Sequence, residues 1–194
     1  MNQVNLKNKT ILTEKIPEDI FNALKVQVKE NKNNEKVHVG VHTNPPRHVS
    51  LKNFLPLQNY IKKFIEHYYK NHVMFHPFAK KNLQLVLSDP WINYQKKGEF
   101  LNKHKHNGLF SYNIWIKIPY DYKKEIERSG PESATFEFTY SNILGEVVTQ
   151  SINLTKEDEG TIIFFPSQLI HQVYPFFTSE EERVSIAGNV QVGN

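Results

Sequence analysis

Residues 102–108 read NKHKHNG, with His104 and His106 one residue apart, flanked by Lys103 and Lys105 and followed by the aromatic and branched run LFSYNIWIKIPYD. In a strand, alternate side chains share a face, so the two imidazoles would project from one wall. Two readings are open at this point: a pair of metal ligands, or two surface histidines in a lysine-rich turn. The chain has no cysteine, so any metal must be held by His, Asp, Glu or backbone oxygen. A third imidazole, His171, ends the apolar stretch GTIIFFPSQLIH, which is interrupted at Pro166. Two histidines from one strand and one from a distant strand could take three facial positions around a first-row metal and leave the others open. Imidazole suits iron or zinc, and a redox role requires iron.

Arg183 and Ser185 alternate in ERVSIAGN and therefore share a face of a predicted strand. A guanidinium offers a planar two-donor fork to a carboxylate, and a hydroxyl beside it can donate one more hydrogen bond. A small dicarboxylate held there by its far end could chelate a metal with its near end. The chain has only three arginines, Arg47, Arg128 and Arg183, so one in an apolar setting calls for a reason. The plain alternative is a structural ion pair with Glu180, Glu181 or Glu182.

These residues have to be positioned by 194 residues, a single-domain length sufficient for a real core. The opening VNLKNKTILTEKI reads as a short strand, and PEDIFNALKVQVKENKNNEK as a helix with proline and acids at its start. In NFLPLQNYIKKFIEHYYKNHV, the residues Phe54, Leu57, Ile61, Phe64, Ile65 and Tyr68 recur at helical spacing. From residue 83 onward, short β-branched and aromatic runs are cut by Gly, Pro, Asn and Asp, which predicts seven or eight strands. Helices followed by strands predict a mainly β protein: a double-sheet jelly roll with N-terminal supporting helices over residues 1–80 and the roll over 81–194, in one domain. The segment KKEIERSGPES is the expected mobile loop.

A net charge of +4 spread along the chain predicts a solvated basic surface and gives no firm sign of a nucleic-acid face. No segment has the apolar length of a membrane span and the N-terminus lacks a signal-peptide run, so a cytoplasmic protein with no membrane partner is expected. His38 and His42 would share a face if their segment were a strand, and His48 follows them, but exposed or loop histidines are a better reading than a second metal site. His67, His72 and His76 show no ligand spacing.

The ordered set PWINYQKKGEFLNKHKHNGLFSYNIWIKIP, GTIIFFPSQLIHQVYP and ERVSIAGNV resembles the 2-oxoglutarate- and iron(II)-dependent oxygenases, in particular a subgroup often encoded by tailed phages and bacteria. The shared pattern is Trp-x-Asn, His-x-His, Phe-Pro-x-x-x-x-His, and Arg-x-Ser. It covers roughly residues 83–190. The resemblance implies a double-stranded β-helix, cupin-like, with Fe(II), 2-oxoglutarate and dioxygen as metal and cosubstrates, and hydroxylation with release of succinate and carbon dioxide. Carried over by position, His104 and His171 are implied metal ligands, and Arg183 with Ser185 the group that pairs with the far carboxylate of 2-oxoglutarate. Asn93 is expected to help hold the cosubstrate, and Tyr112 or Trp115 to line the pocket.

The departure is His106, where the wider superfamily carries Asp or Glu. The resemblance then implies a three-histidine site one charge unit more positive, with Glu99 or Asp121 reaching the metal as the alternative and His106 behind it. If the chain is phage-encoded, its compartment is the host cytoplasm. The primary substrate, whether small molecule, peptide or nucleic acid, and the oligomeric state are not read from the sequence. A cupin-like binding or virion-associated module without turnover is the reading from another class.

Overall fold

The computed structural model describes residues 11–32, 36–37, 47–51, 54–71 and 84–193. Two antiparallel sheets face each other. Strand β1 (Leu12–Lys15), helix α1 (Glu18–Asn31), β2 (Lys36–Val37), β3 (Arg47–Ser50) and helix α2 (Leu55–Asn71) come first. They are followed by β4 (Leu85–Leu87), β5 (Trp91–Gln95), β6 (Leu101–His104), β7 (Phe110–Lys117), helix α3 (Tyr122–Ser129), β8 (Phe136–Ser141), β9 (Val147–Ile152), β10 (Thr161–Pro166), β11 (Ile170–Val173) and β12 (Arg183–Val192). The larger sheet has the order β1-β10-β7-β12-β5-β3-β2, with β4 pairing the far end of β12, and the smaller has β6-β11-β8-β9. Strands distant in sequence alternate between the two layers, as in a mainly β double-stranded β-helix of the jelly-roll type.

The period-2 alternation of the central strands separates two apolar layers. Phe110, Tyr112, Ile114 and Ile116 of β7 join Ile162, Phe164, Val184, Ile186 and Val190 on the face turned to the helices. The same cluster contains Ile20 and Leu24 of α1 and Leu57, Ile61, Phe64, Ile65 and Tyr68 of α2, the residues set at helical spacing in the sequence. Phe64 stacks on Phe164 with centroids 5.4 Å apart, and Tyr68 lies 4.8 Å from Phe110. Burial of each such side chain contributes roughly 1.5–3 kcal/mol, so this contact surface is what holds the helices on the sheet. Trp115, Ile163 and Phe165 point the other way, into a second cluster with Phe136 and Phe138 between the sheets.

Strands of the first eighty residues also enter the large sheet: Leu12 pairs with Phe164, and Val49 with Ile92. The N-terminal part is thus strand as well as helix, and β1 falls in the segment read as a strand.

One expectation is corrected here. The segment taken for a mobile loop contains all but the first residue of α3, which is capped by the Asp121 side chain, accepting from the Lys123 N–H at 2.9 Å, and closed by Gly130 at φ 91°. Its buried face is held by a carboxylate instead of by apolar residues. Glu125 is fully buried and accepts from Phe177 N–H (2.9 Å), Thr178 N–H (2.6 Å), the Ser133 hydroxyl (3.0 Å) and the Thr178 hydroxyl. A hydrophobic periodicity could not reveal such a helix. Among the described residues no helix is long and apolar enough to cross a membrane. His38, His42, His72 and His76 lie outside the described residues.

Candidate metal centre

His104 is the last residue of β6 and pairs directly with His171 of β11. The three rings of His104, His106 and His171 converge, with centroids 4.3, 5.0 and 5.1 Å apart, and each offers a nitrogen within 4.8 Å of the others. Among the described residues this is the group of His, Asp or Glu side chains close enough to share an ion.

His106 is not in the strand, contrary to the simple alternation read from the sequence. Strand β6 stops at His104, and His106 reaches the same point from a loop fastened to the turn after β10. Its N–H donates to the Ser167 carbonyl (2.9 Å), and its carbonyl accepts from the Gln168 side chain (3.1 Å). The loop then turns tightly at Gly108, φ 138°, where a Cβ would lie 2.8 Å from the Val190 carbonyl oxygen. A side chain there would push the loop, and His106 with it, away from the sheet.

The rings are oriented for ligation. Nδ1 of His104 donates to the Asn102 carbonyl (2.6 Å) and Nδ1 of His171 to the Leu169 carbonyl (2.9 Å). These bonds settle the tautomer and leave Nε2 as the lone-pair nitrogen on both rings. His171 is buried, stacked on Phe136 at 5.5 Å and edge-on to Phe165 at 4.9 Å. Burial, with the neighbouring imidazoles adding to it, pushes His171 down to about 3 and His106 down to about 4. Both are therefore neutral near pH 7, the form that binds a metal.

The histidines open onto a cavity of about 480 Å³. Its floor is the inner face of the large sheet, where register aligns Arg183 with Gln95, Ser185 with Asn93, and Ala187 with Trp91. Arg183, Ser185, Asn93 and Trp115 all line it, and the Asn93 amide donates to the Ser185 hydroxyl at 3.4 Å. Tyr112 borders the cavity too, but its ring belongs to the helix-side cluster and lies against Gly188. A Cβ at Gly188 would fall 2.8 Å from Tyr112 Cε1 and closer still to the hydroxyl, so the glycine makes room for that ring.

Arg183 is 3% exposed. Its Nε and Nη2 donate to Gln95 Oε1 (3.0 and 2.6 Å), Nη1 to the Tyr120 hydroxyl (2.9 Å) and the Ala134 carbonyl (3.0 Å), and Nη2 to the Tyr174 carbonyl (2.8 Å). Ala134 holds a φ of 63°, a conformation costly for a residue with a Cβ, and turns its carbonyl to both Arg183 and Tyr120. All four partners of these five bonds are neutral. The acids beside Arg183 in sequence are engaged elsewhere: Glu180 with Lys97, Glu181 with Lys117 and Glu182 with Lys32. The ion-pair alternative for Arg183 is therefore not realised. Gln95, Tyr120 and Ala134 were not foreseen, and the only trace of Gln95 in the sequence is its position two residues beyond Asn93 on the same strand face.

Glu99 and Asp121 do not approach the imidazoles. Glu99 accepts from the Lys96 N–H (2.7 Å), and Asp121 caps α3. Among the described residues no carboxylate lines the cavity, whereas Lys105 and Arg183 do. A divalent ion held by the three imidazoles would add its charge to that of Arg183 in a cavity that no described carboxylate lines. The donor set thus fits a borderline metal such as iron, and the surplus charge fits an anionic companion of that metal.

Residues 89–189 match the family model of the 2OG-Fe(II) oxygenases. No curated protein matches the chain in sequence. Among solved structures, a Pseudomonas putida prolyl-4-hydroxylase is similar with a TM-score of 0.62 at 12% identity, over 96% of this chain and 94% of that one. The viral collagen prolyl hydroxylase of Paramecium bursaria Chlorella virus-1, in complex with 2-oxoglutarate, gives 0.54 at 14% identity, over 93% and 96%. The non-heme α-ketoglutarate-dependent epimerase SnoN of nogalamycin biosynthesis gives 0.58 at 7% identity, over 95% and 77%.

Proposed function

Starting from the membership of this chain in the 2OG-Fe(II) oxygenase family, with iron(II) and 2-oxoglutarate as its cofactors, we propose that it is a dioxygenase that hydroxylates its substrate. His104, His106 and His171 hold the iron through three neutral imidazoles. Arg183 binds the far carboxylate of 2-oxoglutarate, with the Ser185 hydroxyl and the Asn93 amide beside it. The observation that carries this reading is one cavity containing both the three-imidazole cluster and a buried guanidinium that has no carboxylate partner among the described residues.

Iron with 2-oxoglutarate and dioxygen supplies oxidative decarboxylation to succinate and carbon dioxide, coupled to oxidation of the substrate. The chain supplies the rest. The Asn102 and Leu169 carbonyls fix two imidazoles in the ligating tautomer, and Phe136, Phe165 and Trp115 keep water from that end of the cavity. Hydroxylation as the outcome is supported by the two prolyl hydroxylases that share the fold. A peptide or a small molecule is the substrate class we favour, acted on by a single domain in the cytoplasm.

Anaerobic titration with iron(II) and then 2-oxoglutarate tests this directly. A weak visible charge-transfer band is expected in the wild type and is lost in folded His106→Ala. A second reading, a roll that binds a dicarboxylate without turnover, has in its favour that among the described residues no carboxylate completes the ligand set. Succinate formed from 2-oxoglutarate in air by the iron-loaded protein would eliminate it.

A further inference from the structure

Four groups accept the five N–H bonds of Arg183, and they are not equivalent. The Ala134 and Tyr174 carbonyls belong to the backbone, and the Tyr120 hydroxyl is held in the core behind the guanidinium. Of the four residues only Gln95 lines the cavity. Its Oε1 accepts from Nε and Nη2 together, at 3.0 and 2.6 Å. That edge of the guanidinium is the two-donor fork that takes a carboxylate. The amide nitrogen of Gln95 donates to the Glu99 carbonyl, so the side chain is oriented from its other end. A ligand carboxylate entering from the cavity meets this one edge, and it can take the two N–H groups only where Gln95 Oε1 now sits.

We infer that Gln95 is a specificity-determining residue: its amide oxygen occupies the Arg183 fork as an uncharged stand-in, and a dicarboxylate binds by displacing it. The inference rests on the assignment of Arg183 as the anchor for the far carboxylate. Charge is the point of the device. A neutral amide satisfies the buried N–H groups when no ligand is present yet leaves the guanidinium with no carboxylate in its fork, so that an anion is drawn to it. An aspartate or glutamate at the same position would satisfy the same donors and cancel the charge, closing the site to 2-oxoglutarate. Gln95 therefore sets a preference for 2-oxo acids with a second carboxylate over those without one.

The test is anaerobic calorimetry of the iron(II)-loaded protein with 2-oxoglutarate and with pyruvate, which lacks the far carboxylate, on the wild type and on Gln95→Glu, Gln95→Ala and Arg183→Gln. The isosteric Gln95→Glu is expected to weaken 2-oxoglutarate binding by about tenfold or more, the usual size of the loss when a charged hydrogen-bond partner is withdrawn, and to leave pyruvate binding unchanged. Gln95→Ala removes the competitor and is expected to bind 2-oxoglutarate at least as well as the wild type. Should Gln95→Ala not fold, the small polar Gln95→Ser, too short to reach the fork, takes its place with the same expectation. Weakening by the Ala or Ser variant equal to that of Gln95→Glu would overturn the inference, since Gln95 would then only brace the arginine. Wild-type affinity in Gln95→Glu, with affinity lost in Arg183→Gln, would overturn it as well. Unchanged affinity in Arg183→Gln would instead refute the anchor assignment itself.

Discussion

Acid should unfold the metal-free protein through its buried imidazoles, and the size of the effect can be worked out. His171 and His106 are pushed down to about 3 and about 4 from an unfolded value of 6.5, both chiefly by burial. The folded state therefore binds fewer protons than the unfolded chain between these values, and stability is lost as pH falls below 6.5. At pH 5 both folded values lie well below the solution pH, so the loss depends on the unfolded value alone. An imidazole of pKa 6.5 takes up protons in the unfolded chain with about 2 kcal/mol of free energy between pH 7.5 and 5, and two of them give about 4 kcal/mol.

Other groups titrate as well, so the quantity to measure is a difference. Urea unfolding of the chelator-treated wild type and of a His106→Gln/His171→Asn double variant at the two pH values isolates it. The wild type should lose about 4 kcal/mol more than the variant. Equal losses would mean that these imidazoles are not held neutral in the folded state and would remove the electrostatic basis for a ready-made metal centre. Saturating metal should raise the midpoint at pH 7.5 and do so progressively less toward pH 5, because metal and protons compete for the same nitrogens.

Replacing Arg183 by Ala should weaken 2-oxoglutarate binding by at least about tenfold while leaving iron(II) affinity nearly unchanged, because the guanidinium touches none of the imidazoles; calorimetry with each ligand separates the two. Glu125→Ala strands the Phe177 and Thr178 N–H groups and should cost about 2–4 kcal/mol in urea unfolding, with Glu125→Gln milder because it still accepts. Gly188→Ala places a methyl group against the Tyr112 ring and should cost about 1–3 kcal/mol, part of which Tyr112→Ala in the same chain restores.

The local rules visible in the sequence account for much of this molecule. Helical spacing from Phe54 to Tyr68 identifies the face of α2 that meets the sheet, because a 3.6-residue period needs no knowledge of what it packs against. Alternation in β7 and β12 likewise sorts Ile114 and Ile186 from Trp115 and Ser185. The one-residue spacing of His104 and His106, with His171 and Arg183 in order behind them, names the candidate site without showing that it closes.

Closure belongs to the tertiary structure. His171 meets His104 through the β11–β6 register, and a slip of one residue would turn His171 to the other face of the sheet. His106 arrives from a loop whose path depends on Ser167 and Gln168, sixty residues away in sequence. Glu125 makes α3 a helix only because Phe177 and Thr178 bring their N–H groups to it. Gln95 reads in the sequence as an ordinary strand glutamine, and its place in the Arg183 fork follows from the pairing of β5 with β12. Spacing along the chain determines which face a side chain takes, whereas register and loop path between distant segments decide which faces meet.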